Sequence, residues 1–159
     1  MQTSESDNLP EIVQQTFIAV PPATVYQTLS SSEGWDQWFT TGTRLDPRPG
    51  GEIHLRWQNF GAGRYTLEDR GQVLEAIPNR SFVFTWKPGP TRTRVAFALQ
   101  PLADGTLLTV SESGYRNTDA DLRTYMDCAS GWGEALTLLK FFLEHRIVYG
   151  PVPPTDDQA

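Results

Sequence analysis

The chain has 159 residues and a formal net charge of −6, from 13 Lys and Arg against 19 Asp and Glu. That length bounds it to one domain with room for a sizeable core. The acidic balance, with no run of Lys and Arg, argues against a nucleic-acid or anionic-membrane surface.

Five Trp, five Tyr and eight Phe supply the interior, since each ring can bury about 150–250 Å². The single cysteine, Cys128, rules out an intrachain disulfide and fits a cytoplasmic location. Residues 1–10 are polar and read as a disordered segment, with neither the charged nor the apolar region of a signal peptide. No stretch approaches the 18 or so apolar residues of a membrane helix.

The first strand is expected over 11–20, with Val13, Phe17 and Ile18 among its apolar members. Pro21-Pro22 end it and open a short helix carrying Val25, Tyr26 and Leu29. Ser30-Ser31-Ser32 offers N-caps for a second short helix with Trp35, Trp38 and Phe39. A turn at Asp46–Gly51 leads into a cleanly alternating strand. Ile53, Leu55 and Trp57 point one way and Glu52, His54, Arg56 and Gln58 the other, which turns His54 to solvent. Residues 65–77 form the next strand, irregular around Asp69-Arg70-Gly71. Phe82, Phe84 and Trp86 share a face of the following strand, and Val95, Phe97 and Leu99 share one of the next. Asp104-Gly105 is a hairpin turn. In the last strand Leu108, Val110 and Glu112 share a face.

Thr118-Asp119-Ala120-Asp121 resembles a capping box with Asp in the Glu position. Tyr125, Ala129, Trp132, Leu136, Leu139 and Leu143 then follow helical spacing, predicting one helix over 118–148. Gly131 and Gly133 cost that helix roughly 1 kcal/mol each against Ala. They imply close backbone approach, or room beside the Trp132 ring. Hairpin-length turns mean antiparallel pairing. The fold class is therefore α+β: a curved antiparallel sheet wrapped around a long C-terminal helix, one domain over 11–149. Residues 150–159, rich in Pro and Asp, read as a disordered tail.

Glu112 is the pointed polar signal. A carboxylate on an apolar face is costly unless paired or hydrogen-bonded. It is either an anchor for a ligand, an acid or base, or a group satisfied by Arg116, a tyrosine or solvent. His54 and His145 have no companion at metal-ligand spacing, so no metal site is expected. Cys128 reads as an inert buried thiol. Gly61-Ala62-Gly63 lacks the remainder of a phosphate loop, and no Gly-x-Ser-x-Gly elbow is present.

The order of these elements, with Gly71-Gln72-Val73, Phe84-Thr85-Trp86, Thr106–Gly114 and the Gly131-Trp132 helix, resembles a known family. It is similar to the domain family named after the activator of the heat-shock-protein-90 ATPase, within the START-like, polyketide-cyclase-like (SRPBCC) superfamily. The resemblance runs from about Ile12 to Leu143. Two positions depart from it: Tyr26 stands where an indole is common, and Glu112 where many relatives carry His.

The resemblance implies a helix-grip fold with a cavity between sheet and helix. Together with the aromatic interior it implies a soluble, cofactor-free domain binding a small apolar or aromatic molecule. Trp38, Trp57, Phe84, Trp86, Phe97, Glu112, Trp132 and Leu136 are the candidate ligand-binding residues. A co-chaperone-type module acting on a heat-shock ATPase is the first alternative, and a cyclase- or aromatase-like enzyme the second. For the enzyme, Glu112, Tyr115, Tyr65 and the two histidines form no recognisable constellation, so no catalytic residue is assigned.

Overall fold

The computed structural model describes residues 7–149. Seven strands form one open antiparallel sheet: β1 (Ile12–Ile18), β2 (Arg44–Leu45), β3 (Glu52–Phe60), β4 (Tyr65–Ile77), β5 (Ser81–Trp86), β6 (Thr93–Leu102) and β7 (Gly105–Ser113). Their spatial order is β1-β7-β6-β5-β4-β3-β2. Strands β3 to β7 follow one another as a meander. The first strand closes the far edge by pairing with the last, Ile12 opposite Glu112 and Ile18 opposite Thr106. Two short helices, α1 (Pro22–Leu29) and α2 (Ser32–Trp38), follow β1, and the long helix α3 (Asp119–His145) ends the fold.

The local signals explain most boundaries. Pro22 opens α1 after an extended Pro21, because its fixed φ suits the first turn and its missing N–H is not needed there. Of the three serines, Ser31 caps α2 by accepting from the Gly34 N–H at 3.0 Å. Strand β1 is shorter than its apolar pattern suggested, ending at Ile18 before Pro21.

Thr118 caps α3, accepting from the Asp121 N–H at 3.2 Å. The return half of the box is different. The Asp121 carboxylate accepts from the Arg116 N–H at 2.6 Å, because the Thr118 N–H already bonds the Arg116 carbonyl at 2.9 Å. The helix stops at His145, three residues short of 148. Arg146 turns left-handed (φ 57°), and its N–H closes on the Phe142 carbonyl at 2.9 Å, the bond of a left-handed cap.

The expected irregularity in β4 is present, two residues on: its register with β5 shifts between Val73 and Glu75. At Gly71 a Cβ would lie 1.5 Å from the Thr85 carbonyl oxygen, so only glycine lets the two strands approach. Gly131 and Gly133 show the reverse. Apart from the adjacent residues and the helix's own backbone, no heavy atom lies within 4 Å of a Cβ built at either. These glycines mark open space, not close packing.

Residues 7–9, which the sequence leaves outside the fold, run beside the segment after β7. The Leu9 N–H bonds the Tyr115 carbonyl and the Asn117 N–H bonds the Asp7 carbonyl, both at 2.9 Å. Residues 1–6 and the expected tail over 150–159 lie outside the described residues.

His54 corrects the alternation argument. It is buried at 6% exposure, not solvent-facing. Strand β3 is flanked by β2 and β4, with His54 opposite Arg44 on one side and Arg70 on the other. The imidazole Nε2 lies 3.0 Å from the Glu68 carboxylate. That hydrogen bond holds the Glu68 carboxyl below its ordinary pKa.

The core sits between the concave face of the sheet and α3. It joins Trp132, Leu136, Leu139 and Leu143 of the helix to Phe82, Phe84, Val95, Phe97, Leu108 and Val110 of the sheet. Trp35 of α2 inserts at its centre with no exposure. The helix Trp faces the sheet, as its spacing required.

Candidate functional site

Alternation along β7 buries Thr106, Leu108, Val110 and Glu112 completely. Glu112 therefore projects into the interior near the strand's end, where its two oxygens meet four donors. Oε2 accepts from Trp86 Nε1 at 2.7 Å, Thr93 Oγ1 at 2.7 Å and the Tyr115 hydroxyl at 2.8 Å. Oε1 accepts from Trp132 Nε1 at 2.9 Å. A carboxylate offers about four lone-pair sites, two on each oxygen; three of these bonds crowd Oε2 and one falls on Oε1. Each donor comes from a different segment: Trp86 ends β5, Thr93 opens β6, Tyr115 follows β7 and Trp132 lies mid-way along α3. Glu112 is the point at which helix and sheet are tied.

Two groups around it, Tyr115 and Cys128, are held in their neutral forms. Burial first, and then the neighbouring Cys128 thiol and Glu112 charge, raise the Tyr115 phenol well above its ordinary pKa. Burial first, and then the Glu112 charge, push the Cys128 thiol up to about 12. Asp69 is raised by burial against the opposing pull of the Lys87 and Arg70 N–H groups.

In front of the tied indoles is a cleft of about 180 Å³. Phe39, Trp86, Asp127, Cys128, Gly131, Trp132 and Ala135 line it. Asp127, Gly131 and Ala135 fall at four-residue intervals, so one flank of α3 forms a wall. Phe39, just after α2, forms the opposite side. The wall is low at Gly131 because nothing projects there. The volume is close to the roughly 150 Å³ known to admit a benzene ring, and below the roughly 300–1,000 Å³ of drug-sized pockets. Among the described residues no group of three or more His, Cys, Asp or Glu could hold a metal ion. None of their helices is long and apolar enough to cross a membrane.

The model of the family described as activator of Hsp90 ATPase homolog 1-like protein matches residues 19–144. The chain belongs to this family. No curated protein matches it. Among solved structures, protein MLL2253 of Mesorhizobium loti superposes with a TM-score of 0.71 at 22% identity, over 87% of this chain and 100% of that one. An Aha1 dimer from Colwellia psychrerythraea gives 0.68 at 22% identity, over 86% of this chain and 98% of that one. DynU16, a protein of the dynemicin biosynthetic locus, gives 0.72 at 17% identity, over 89% of this chain but 48% of that one. At these identities the likeness is one of fold.

In this member of the Hsp90-ATPase-activator-like family the candidate residues divide into three groups. Trp86 and Trp132 line the cleft. Glu112 lies behind them and is occupied by their N–H groups. Trp38, Trp57, Phe84, Phe97 and Leu136 are packed in the core. Trp38 stacks between Trp35 and Phe39, at centroid distances of 5.6 and 4.7 Å. Phe97 meets the Trp132 edge at 5.7 Å. Of the partners foreseen for Glu112, the tyrosine is present, whereas Arg116 is exposed and bonds Asp121 through its backbone.

Phe39, Asp127, Gly131 and Ala135 were not among the candidates. Their shared helix flank was legible for Asp127, Gly131 and Ala135 as an i, i+4, i+8 row. Thr93 carried no signal, because its neighbour on β7 depends on register.

Proposed function

We propose that the protein binds one small aromatic or apolar molecule in the cleft beside Gly131. The observation that carries the reading is the wall itself. Three aromatic rings surround a space the size of one further ring, and a glycine keeps it open although Ala would favour the helix. Trp86 and Trp132 are fixed by Glu112, so the binding surface is preformed and loses little entropy on binding. Family membership and the fold shared with a protein of a biosynthetic locus support this reading. Glu112 serves as the clamp on the indoles instead of as a contact to the ligand, and the chemistry stops at binding. A soluble, cytoplasmic setting accords with this role.

Gly131→Leu tests the reading. A Cβ there has free space, so the side chain enters the cleft without disturbing the core. The variant should retain or gain stability, because Gly in a helix costs about 0.5–1 kcal/mol against Ala. An environment-sensitive apolar dye, followed through tryptophan fluorescence, should bind the native protein at about one site and lose most of that binding in the variant. Equal binding by both would remove the cleft from consideration.

A native protein that binds no such dye would favour the co-chaperone-type reading. That reading is supported by the family and by Tyr65 and Leu67, neighbours on one face of β4 that are 61% and 48% exposed. A surface of this kind suits a protein partner such as a heat-shock ATPase.

A further inference from the structure

The hydrogen-bonding character of the cleft narrows its ligand, on the reading that a small molecule binds there. Its lining side chains offer almost no donors. The Trp86 and Trp132 N–H groups are both spent on Glu112. Phe39 has none, and the Cys128 thiol lies against Glu112 and Tyr115 and stays protonated. The lining is aromatic and almost wholly apolar, and the one acidic residue beside it is Asp127 at the rim.

Asp127 is exposed, and among the described residues it makes no ion pair. Arg123, one turn earlier on the same helix, is not paired with it. A second negative charge, Glu112, sits directly behind the indoles. An indole N–H donating to a carboxylate is polarised so that its ring becomes richer in electrons, and the faces of such rings attract cations. An anion or a carbonyl would find no donor to replace its water, whereas an ammonium meets rings and a carboxylate.

We propose that the cleft selects a cationic ligand, a small ammonium compound carrying or adjoining an aromatic ring, over its neutral and anionic counterparts. The quaternary or primary ammonium sits over the Trp86 and Trp132 faces, and Asp127 at the mouth supplies the counter-charge. The mild acidity of the chain, with its net charge of −6, adds a weak attraction to the approach of a cation.

Phenyltrimethylammonium and its uncharged isostere, tert-butylbenzene, are the probes. Titration of the native protein by tryptophan fluorescence should show saturable binding of the cation, tighter than that of the isostere by about fivefold or more, as expected for desolvated cation–π contact. Asp127→Asn, an exposed and neutral change, should weaken the cation several-fold and leave the isostere unmoved. Added salt should weaken the cation in the native protein more than in the variant, because an exposed charge is screened. If the isostere binds as tightly as the cation, the charge selectivity is overturned while the small-molecule reading stands. Cation binding that ignores both Asp127→Asn and salt overturns it equally. If neither probe binds, while the folded protein shows its native fluorescence and unfolding transition, both readings fall.

Discussion

Two pairs of indoles flank Phe39, and they differ in what they do with their N–H groups. Trp35 and Trp38 stack at 5.6 Å, and Trp86 and Trp132 lie at 5.5 Å, so ring packing hardly separates the pairs. In the second pair both N–H groups converge on one carboxylate. In the first, Trp35 donates to the Leu29 carbonyl at 2.8 Å. Trp38 Nε1 is buried with no hydrogen-bond partner among the described residues. One pair is clamped at the edge of the core and fronts a cleft. The other fills the core, held by ring contact and by the one bond from Trp35 to the Leu29 carbonyl. What the N–H groups bond separates the pairs: a shared carboxylate ties Trp86 of the sheet to Trp132 of the helix, whereas Trp35 is tied only to the end of α1 and Trp38 to nothing among the described residues.

The largest effect should come from removing the clamp. In Glu112→Gln the amide's best placement keeps its oxygen toward Trp86, Thr93 and Tyr115 and turns its NH2 toward Trp132. Three bonds lose their charge and one indole faces a donor. The expected loss is about 2–4 kcal/mol, measured by urea unfolding. A stability equal to or above that of the native protein would show that the four bonds do not hold helix to sheet.

The two pairs can be set directly against each other with the same substitution. Trp132→Phe removes a bond to a charged acceptor and leaves a void, for about 3 kcal/mol. Trp38→Phe leaves a similar void but also deletes an unpartnered buried donor. These terms offset, and the net change should stay within about 1 kcal/mol. Equal losses at both sites would mean that packing alone governs both pairs.

The smallest effect concerns Cys128, which adjoins the clamp. Its folded-state pKa is pushed up to about 12, from an ordinary value of 9.0. The folded protein therefore holds this proton where the unfolded chain has lost it. The contribution to stability is complete below pH 9 and declines as pH rises toward 12. Over that range the native protein should lose stability more steeply than Cys128→Ala. At pH 8 iodoacetamide should alkylate the native thiol far more slowly than the unfolded one. Parallel curves for the two proteins would place the thiol in an ordinary environment.

Periodicity was enough to orient side chains within their own elements. Alternation put Leu108, Val110 and Glu112 on one buried face, and helical spacing turned Trp132 and Leu136 to the sheet, since each rests on local geometry. The same reasoning failed at His54. Alternation says which face a side chain takes, not whether long side chains on the neighbouring strands, here Arg44, Glu68 and Arg70, crowd that face.

Apart from a tyrosine, what Glu112 touches was beyond the sequence. Its donors lie at positions 86, 93, 115 and 132, and they meet only through the β5–β6–β7 register and the depth at which α3 docks. The cleft was further still from view. Its volume is the small remainder left after large side chains have packed, and no residue signals it alone. Gly131 was legible as an anomaly in a helix. Only the tertiary structure decided that the anomaly is an opening and not a tight contact, because that depends on which neighbours are missing from the space around it.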